Sequence, residues 1–150
     1  MRVLETHVDI DASAETIWDV LTDFPAFAEW NPFITSIDGS ATTGTRLEVR
    51  LQPPDGKAMT FKPTVEASEP NRRFAWLGHL GVPHIFDGAH EFILEPNGHG
   101  GTSFTQRETF RGILVPLLGR VLLRTQRGFD QMNAALKARA EVPQTKFSAR

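Results

Sequence analysis

The chain has 150 residues, of which 40% are hydrophobic and 23% charged, with a formal net charge of -2. That is enough chain for one domain with a core of its own. Without a basic run, a nucleic-acid role lacks its electrostatic footprint, and the absence of Cys excludes disulfides, thiolate nucleophiles and Cys-ligated metals. Tyr is absent as well, against 11 Phe and 3 Trp, so aromatic surface is plentiful but no phenol can donate a proton.

Residues 3–10 alternate, with Leu4, Thr6, Val8 and Ile10 opposite Glu5, His7 and Asp9. Period two predicts a half-buried strand. No apolar leader precedes it, so the expected compartment is the cytoplasm. Ser13 is placed to cap a helix carrying Ile17, Val20 and Leu21. A second short helical turn over residues 23–30 stops at Asn31-Pro32, because Pro drives the residue before it out of helical geometry.

Six strands follow. Residues 33–38 form the first. In residues 45–52, Leu47, Val49 and Leu51 face away from Arg46, Glu48 and Arg50. Pro53-Pro54-Asp55-Gly56 makes a hairpin turn. Met59, Phe61 and Val65 then alternate with polar neighbours, and Pro63 marks an edge or a bulge in that ladder. Residues 73–80, 89–95 and 102–111 complete the set, and Phe104, Gln106, Glu108 and Phe110 share one face of the last. Val121, Leu122, Thr125, Phe129, Met132 and Leu136 repeat at steps of three and four, which predicts an amphipathic helix over about 117–140. The domain is expected over residues 1–141, with a polar tail at 142–150.

The fold class is therefore α+β. Strands with one apolar face need cover on one side only, and the long helix is the element able to supply it. A twisted sheet cannot lie flat on a helix. A cavity of about 300–1,000 Å³ is expected where they diverge, the common size of a small-molecule site.

The element order and its particular residues resemble the START-like superfamily, also called SRPBCC or Bet v 1-like, and within it bacterial polyketide cyclase/dehydrase-type proteins. The carrying stretches are Ile10 to Phe24, the stop Trp30-Asn31-Pro32-Phe33, His90-Glu91-Phe92, and the strand from Gly101 to Gly112. The resemblance implies a helix-grip fold in which a curved antiparallel sheet of about seven strands wraps the C-terminal helix. It implies a hydrophobic pocket but carries over no catalytic set, since such folds host many functions.

His90 and Glu108 are the candidate catalytic pair. On adjacent antiparallel strands both face the apolar side, where they could move a proton on a bound carbonyl compound, with Gln106 orienting that carbonyl. The structural alternative is a hydrogen bond closing the pocket wall. The candidate ligand-binding residues are Phe33, Met59, Phe61, Trp76, Phe92, Phe104, Gln106, Phe129 and Met132. Trp30 reads better as core than as pocket mouth. His79, His84, His90 and His99 lack metal-ligand spacing, so no metal and no cofactor is expected. The apolar Gly/Pro loop over residues 81–88 is either a lid or a docked loop. The leading functional reading is binding or transport of a lipid, isoprenoid or aromatic, polyketide-like molecule by a monomer or weak homodimer, with no nucleic-acid partner and no membrane insertion. The alternative is a polyketide cyclase or dehydratase using His90 and Glu108 as acid and base.

Overall fold

The computed structural model describes residues 1–79 and 83–142. Strand β1 (Arg2–Ile10) leads into helix α1 (Ala14–Thr22), then a 3-10 turn (Phe24–Ala26) and the short helix α2 (Phe27–Trp30). Strands β2 (Ile34–Asp38), β3 (Glu48–Leu51), β4 (Met59–Phe61), β5 (Thr64–Glu69), β6 (Arg73–His79), β7 (Asp87–Pro96) and β8 (Thr102–Arg111) follow. A second 3-10 turn (Val115–Leu117) precedes the long helix α3 (Gly119–Ala140). Ser13 caps α1 as expected, its hydroxyl accepting from the Thr16 N–H at 3.1 Å.

The strands form two antiparallel sheets, β1-β8-β7-β6-β5 and β2-β3-β4. Pro63 accounts for the division. Lacking an N–H, it interrupts the ladder, so residues before it pair with β3 and residues after it with β6. The stretch expected as one strand is therefore two, and the two sheets together have eight strands in place of about seven. The sheets remain stitched at the break: Leu47 N–H donates to the Pro63 carbonyl at 2.8 Å and Val65 N–H to the Thr45 carbonyl at 2.9 Å. The result is one curved wall around α3, and the protein is an α+β helix-grip fold.

Alternation decides which face is buried. Leu47, Val49, Val65, Phe74, Trp76, Phe92, Leu94, Phe104 and Phe110 all point into the core, together with Ile10 of β1. The outer face carries an ion-pair ladder running across all five strands of the larger sheet: Glu5 with Arg107, Arg107 with Glu91, Glu91 with Arg73, and Arg73 with Glu69. Arg107 is held even more firmly protonated than an ordinary guanidinium, first by its hydrogen bond to Glu5. Such half-exposed pairs add little stability, but they keep that face wet, as a one-sided sheet requires. From α3, Leu122, Phe129, Met132 and Leu136 are buried against the sheet. Gly128 is where the helix comes closest to Phe33, since a Cβ built there would overlap the Phe33 ring.

Candidate functional site

The inward faces of β7 and β8 carry a polar chain through a largely apolar core. Glu108 Oε1 lies 3.2 Å from His90 Nδ1, and His90 Nε2 lies 3.1 Å from Gln106 Oε1. Gln106 donates from Nε2 to Asn133 Oδ1 at 2.7 Å and to the Phe129 carbonyl at 3.3 Å. Asn133 Nδ2 in turn donates to Thr6 Oγ1 at 3.0 Å. The chain thus ties β7, β8, α3 and β1 together. It exists because His90 stands directly opposite Glu108 in the β7–β8 register, while Gln106 lies two residues along the same face.

These contacts fix proton positions. Two acceptors, the Phe129 carbonyl and Asn133 Oδ1, hold the Gln106 amide with its nitrogen toward α3. Its oxygen must then face His90, so His90 Nε2 carries a hydrogen. His90 Nδ1 is thereby left to face Glu108 Oε1 at 3.2 Å. Gln106 is 0% exposed and His90 3%, so water does not compete for this arrangement.

Glu108 ends the chain at a cleft of about 110 Å³. Its walls are Leu51, Met59, Phe61, Phe86, Phe110 and Val121, with Gly78, His79, Gly88 and Thr125 completing them. Gly88 makes room for the carboxylate, because a Cβ there would stand 2.6 Å from Glu108 Oε2. Phe86 stacks on Phe110 with ring centroids 5.4 Å apart. The segment carrying Phe86 is pinned by Asp87, which accepts from His84 N–H at 3.1 Å and contacts His79 Nδ1 at 2.7 Å. The His79 hydrogen bond holds the Asp87 carboxyl below its ordinary value, burial works against it, and the His84 N–H adds to it. A second, polar groove of about 180 Å³ lies between α1, α2 and the end of α3, lined by Asp19, Asp23, Trp30 and Arg139 among others. It holds none of the paired polar groups described above.

Residues 1–141 match the family described as polyketide cyclase / dehydrase and lipid transport. The chain belongs to this family. Curated protein sequences return no match. Among solved structures, a START superfamily protein from Mycobacterium smegmatis is 22% identical, with a TM-score of 0.72 over 93% of this chain and 97% of that one. A protein of Mesorhizobium loti is 21% identical, with a TM-score of 0.72 over 91% of this chain and 95% of that one. The di-domain ARO/CYC protein BexL is 19% identical, with a TM-score of 0.73 over 95% of this chain and 50% of that one. This family member thus spans half of BexL. At these identities the likeness is one of fold.

The cavity differs from expectation in place, size and enclosure. Trp76, Phe92, Phe104, Phe129 and Met132 are buried in the core and do not line this cleft. The His90 ring lies 4.4 Å from Phe92, 4.9 Å from Phe129 and 5.4 Å from Trp76, centroid to centroid. Phe33 is likewise packed on Phe129 at 5.8 Å. Aromatic rings crowd the space around His90, and the cleft lies beside the N-terminal half of α3, where Val121 and Thr125 line it. Of the candidate ligand residues, Met59 and Phe61 line it, and Gln106 stands behind it in the polar chain. Phe86, Phe110, Val121, Asn133 and Thr6 complete the constellation. Thr6 and Asn133 are legible in retrospect as polar residues on apolar faces of β1 and α3. From the loop over 81–88, residues 81 and 82 lie outside the described residues, as do residues 143–150 of the tail. Among the described residues no helix is long and apolar enough to cross a membrane.

Proposed function

We propose that this chain binds a small hydrophobic molecule in the cleft, with its apolar body against Met59, Phe61, Phe86 and Phe110 and a hydrogen-bonding group against Glu108. The observation that carries this reading is an apolar-walled cleft with a carboxylate at its back, held in place by a buried imidazole. Ligand sites commonly combine an apolar lining with a few placed polar groups. The family's lipid transport description supports the same reading. Met59 is exposed, so a molecule longer than the cleft can continue past it. The test is native mass spectrometry for a retained small molecule, followed by displacement of a fluorescent apolar probe. Met59→Glu, at an exposed position, should weaken probe binding by about tenfold or more, because a charge then lines an apolar site. A wild type with no retained molecule and no saturable probe binding would defeat the proposal.

One observation favours a second reading, acid/base turnover. His90 Nδ1 stands 3.2 Å from Glu108 Oε1, within reach of proton transfer, and Glu108 reaches the cleft. Under that reading Glu108→Gln keeps probe binding but slows turnover of a β-keto or polyketide-like substrate by about 10²–10⁴-fold. Equal turnover by wild type and variant removes it.

A further inference from the structure

We propose that the segment from the end of β8 to the middle of α3 is a docking surface for an anionic lipid bilayer. Residues 111–129 contain Arg111, Arg120, Arg124 and Arg127 and none of the chain's 18 acidic residues, although the whole chain is net negative. Within this segment Ile113 is 72% exposed, Leu117 78% and Leu123 54%. Side chains so exposed do not stabilise the fold, and an apolar patch of this kind marks an interaction site. Nor is the segment frayed. Ile113 N–H donates to the His84 carbonyl at 3.2 Å and Leu114 N–H to the Ile85 carbonyl at 3.1 Å, while Val115 is buried. The backbone is held while Ile113 and Leu117 project.

Charge selects the occupant. Arg120, Arg124 and Arg127 follow steps of four and three and therefore share one face of α3, with Leu123 beside it. Arg111, Arg120 and Arg124 make no ion pair among the described residues, and Arg127 only a loose, exposed one with Asp55 at 3.9 Å. Aliphatic side chains flanked by arginines match the interface of a bilayer with anionic headgroups, where apolar burial and electrostatic attraction act together. A second copy docking through the same face would bring one arginine row against the other, which disfavours self-association. The segment follows Phe110 directly and includes Val121 and Thr125, three residues that line the cleft. Docking therefore sets the cleft at the bilayer surface, whether or not the cleft holds a ligand.

The test is co-sedimentation of the full chain with phosphatidylcholine vesicles and with mixed phosphatidylcholine/phosphatidylglycerol vesicles. Binding is expected to the mixed vesicles alone and should weaken as salt rises. Arg120→Gln and Arg124→Gln should each lower partitioning by about fivefold, the equivalent of the ~1 kcal/mol a basic residue contributes near an anionic surface. Ile113→Ser with Leu117→Ser should abolish binding without moving the melting temperature. Absence of vesicle binding, equal binding to both compositions, or a dimer in sedimentation velocity that Leu117→Ser dissolves would each overturn the proposal.

Discussion

Replacing Gln106 with Leu is the most direct probe of the buried polar chain. Leu has similar bulk but neither accepts from His90 Nε2 nor donates to Asn133 Oδ1, contacts of 3.1 Å and 2.7 Å in the native protein. Both groups stay buried, so no water replaces the lost partner. Each unsatisfied buried group costs ~1–3 kcal/mol. Burying the added apolar surface of Leu returns part of this, ~1 kcal/mol at the usual area coefficient. A net loss of about 2–4 kcal/mol follows, which for a domain of this size lowers the melting temperature by roughly 5–15 °C. Nitrogen NMR of the His90 ring supplies an independent readout. In the native protein Nε2 is held protonated by Gln106, and in Gln106→Leu that constraint is gone, so the tautomer ratio should shift. A loss below about 1 kcal/mol together with unchanged ring signals would refute the assigned amide orientation.

Gly128→Ala improves intrinsic helix propensity by ~1 kcal/mol but drives a methyl into the Phe33 ring, an overpacking cost of typically 1–3 kcal/mol. The variant should be less stable in denaturant titration, and Phe33→Leu should partly rescue it; a stabilised single variant contradicts the close approach. Gly88→Ala pushes on the Glu108 carboxylate from 2.6 Å, the movable end of a side chain. It should weaken probe binding in the cleft while leaving the melting temperature nearly unchanged, and unaltered binding means that Glu108 does not touch the bound molecule. Asp87 titrates below its ordinary value because of His79 first and the His84 backbone N–H besides. Its contribution to stability is thus complete above the unfolded carboxylate value of about 3.9 and is lost as pH falls through the lower folded value. Wild type and Asp87→Asn should differ in stability near neutrality and converge in acid, and a gap that persists in strong acid disproves this linkage.

Much of the architecture is carried by local pattern. The alternation of Leu47, Val49 and Leu51 against Arg46, Glu48 and Arg50 assigns a face without any tertiary information, because a slip of one residue would invert every side chain. Ser13, Asn31-Pro32 and the three- and four-residue spacing of Phe129, Met132 and Leu136 likewise mark helix ends and faces from backbone chemistry alone. The pairing of His90 with Glu108 was also legible, since both lie on inward faces of neighbouring antiparallel strands. Pro63 announced a break but not that the chain would change sheets there, which depends on whether β3 or β6 offers the next free edge. Nor could alternation tell which inward residues line a cavity and which fill it. Trp76, Phe92, Phe104 and Phe129 have the same pattern signature whether they surround a ligand or each other, and only the path of α3 over the sheet decides. By itself the sequence determined the element order apart from the split at Pro63, most of the buried faces and the chemistry available to them. Tertiary structure alone decided where the cleft lies: aromatic rings pack around His90, and Glu108 lines the cleft. The reason is that periodicity reports which side of an element is dry, whereas a cavity is the difference between the volume two packed surfaces enclose and the volume their side chains occupy.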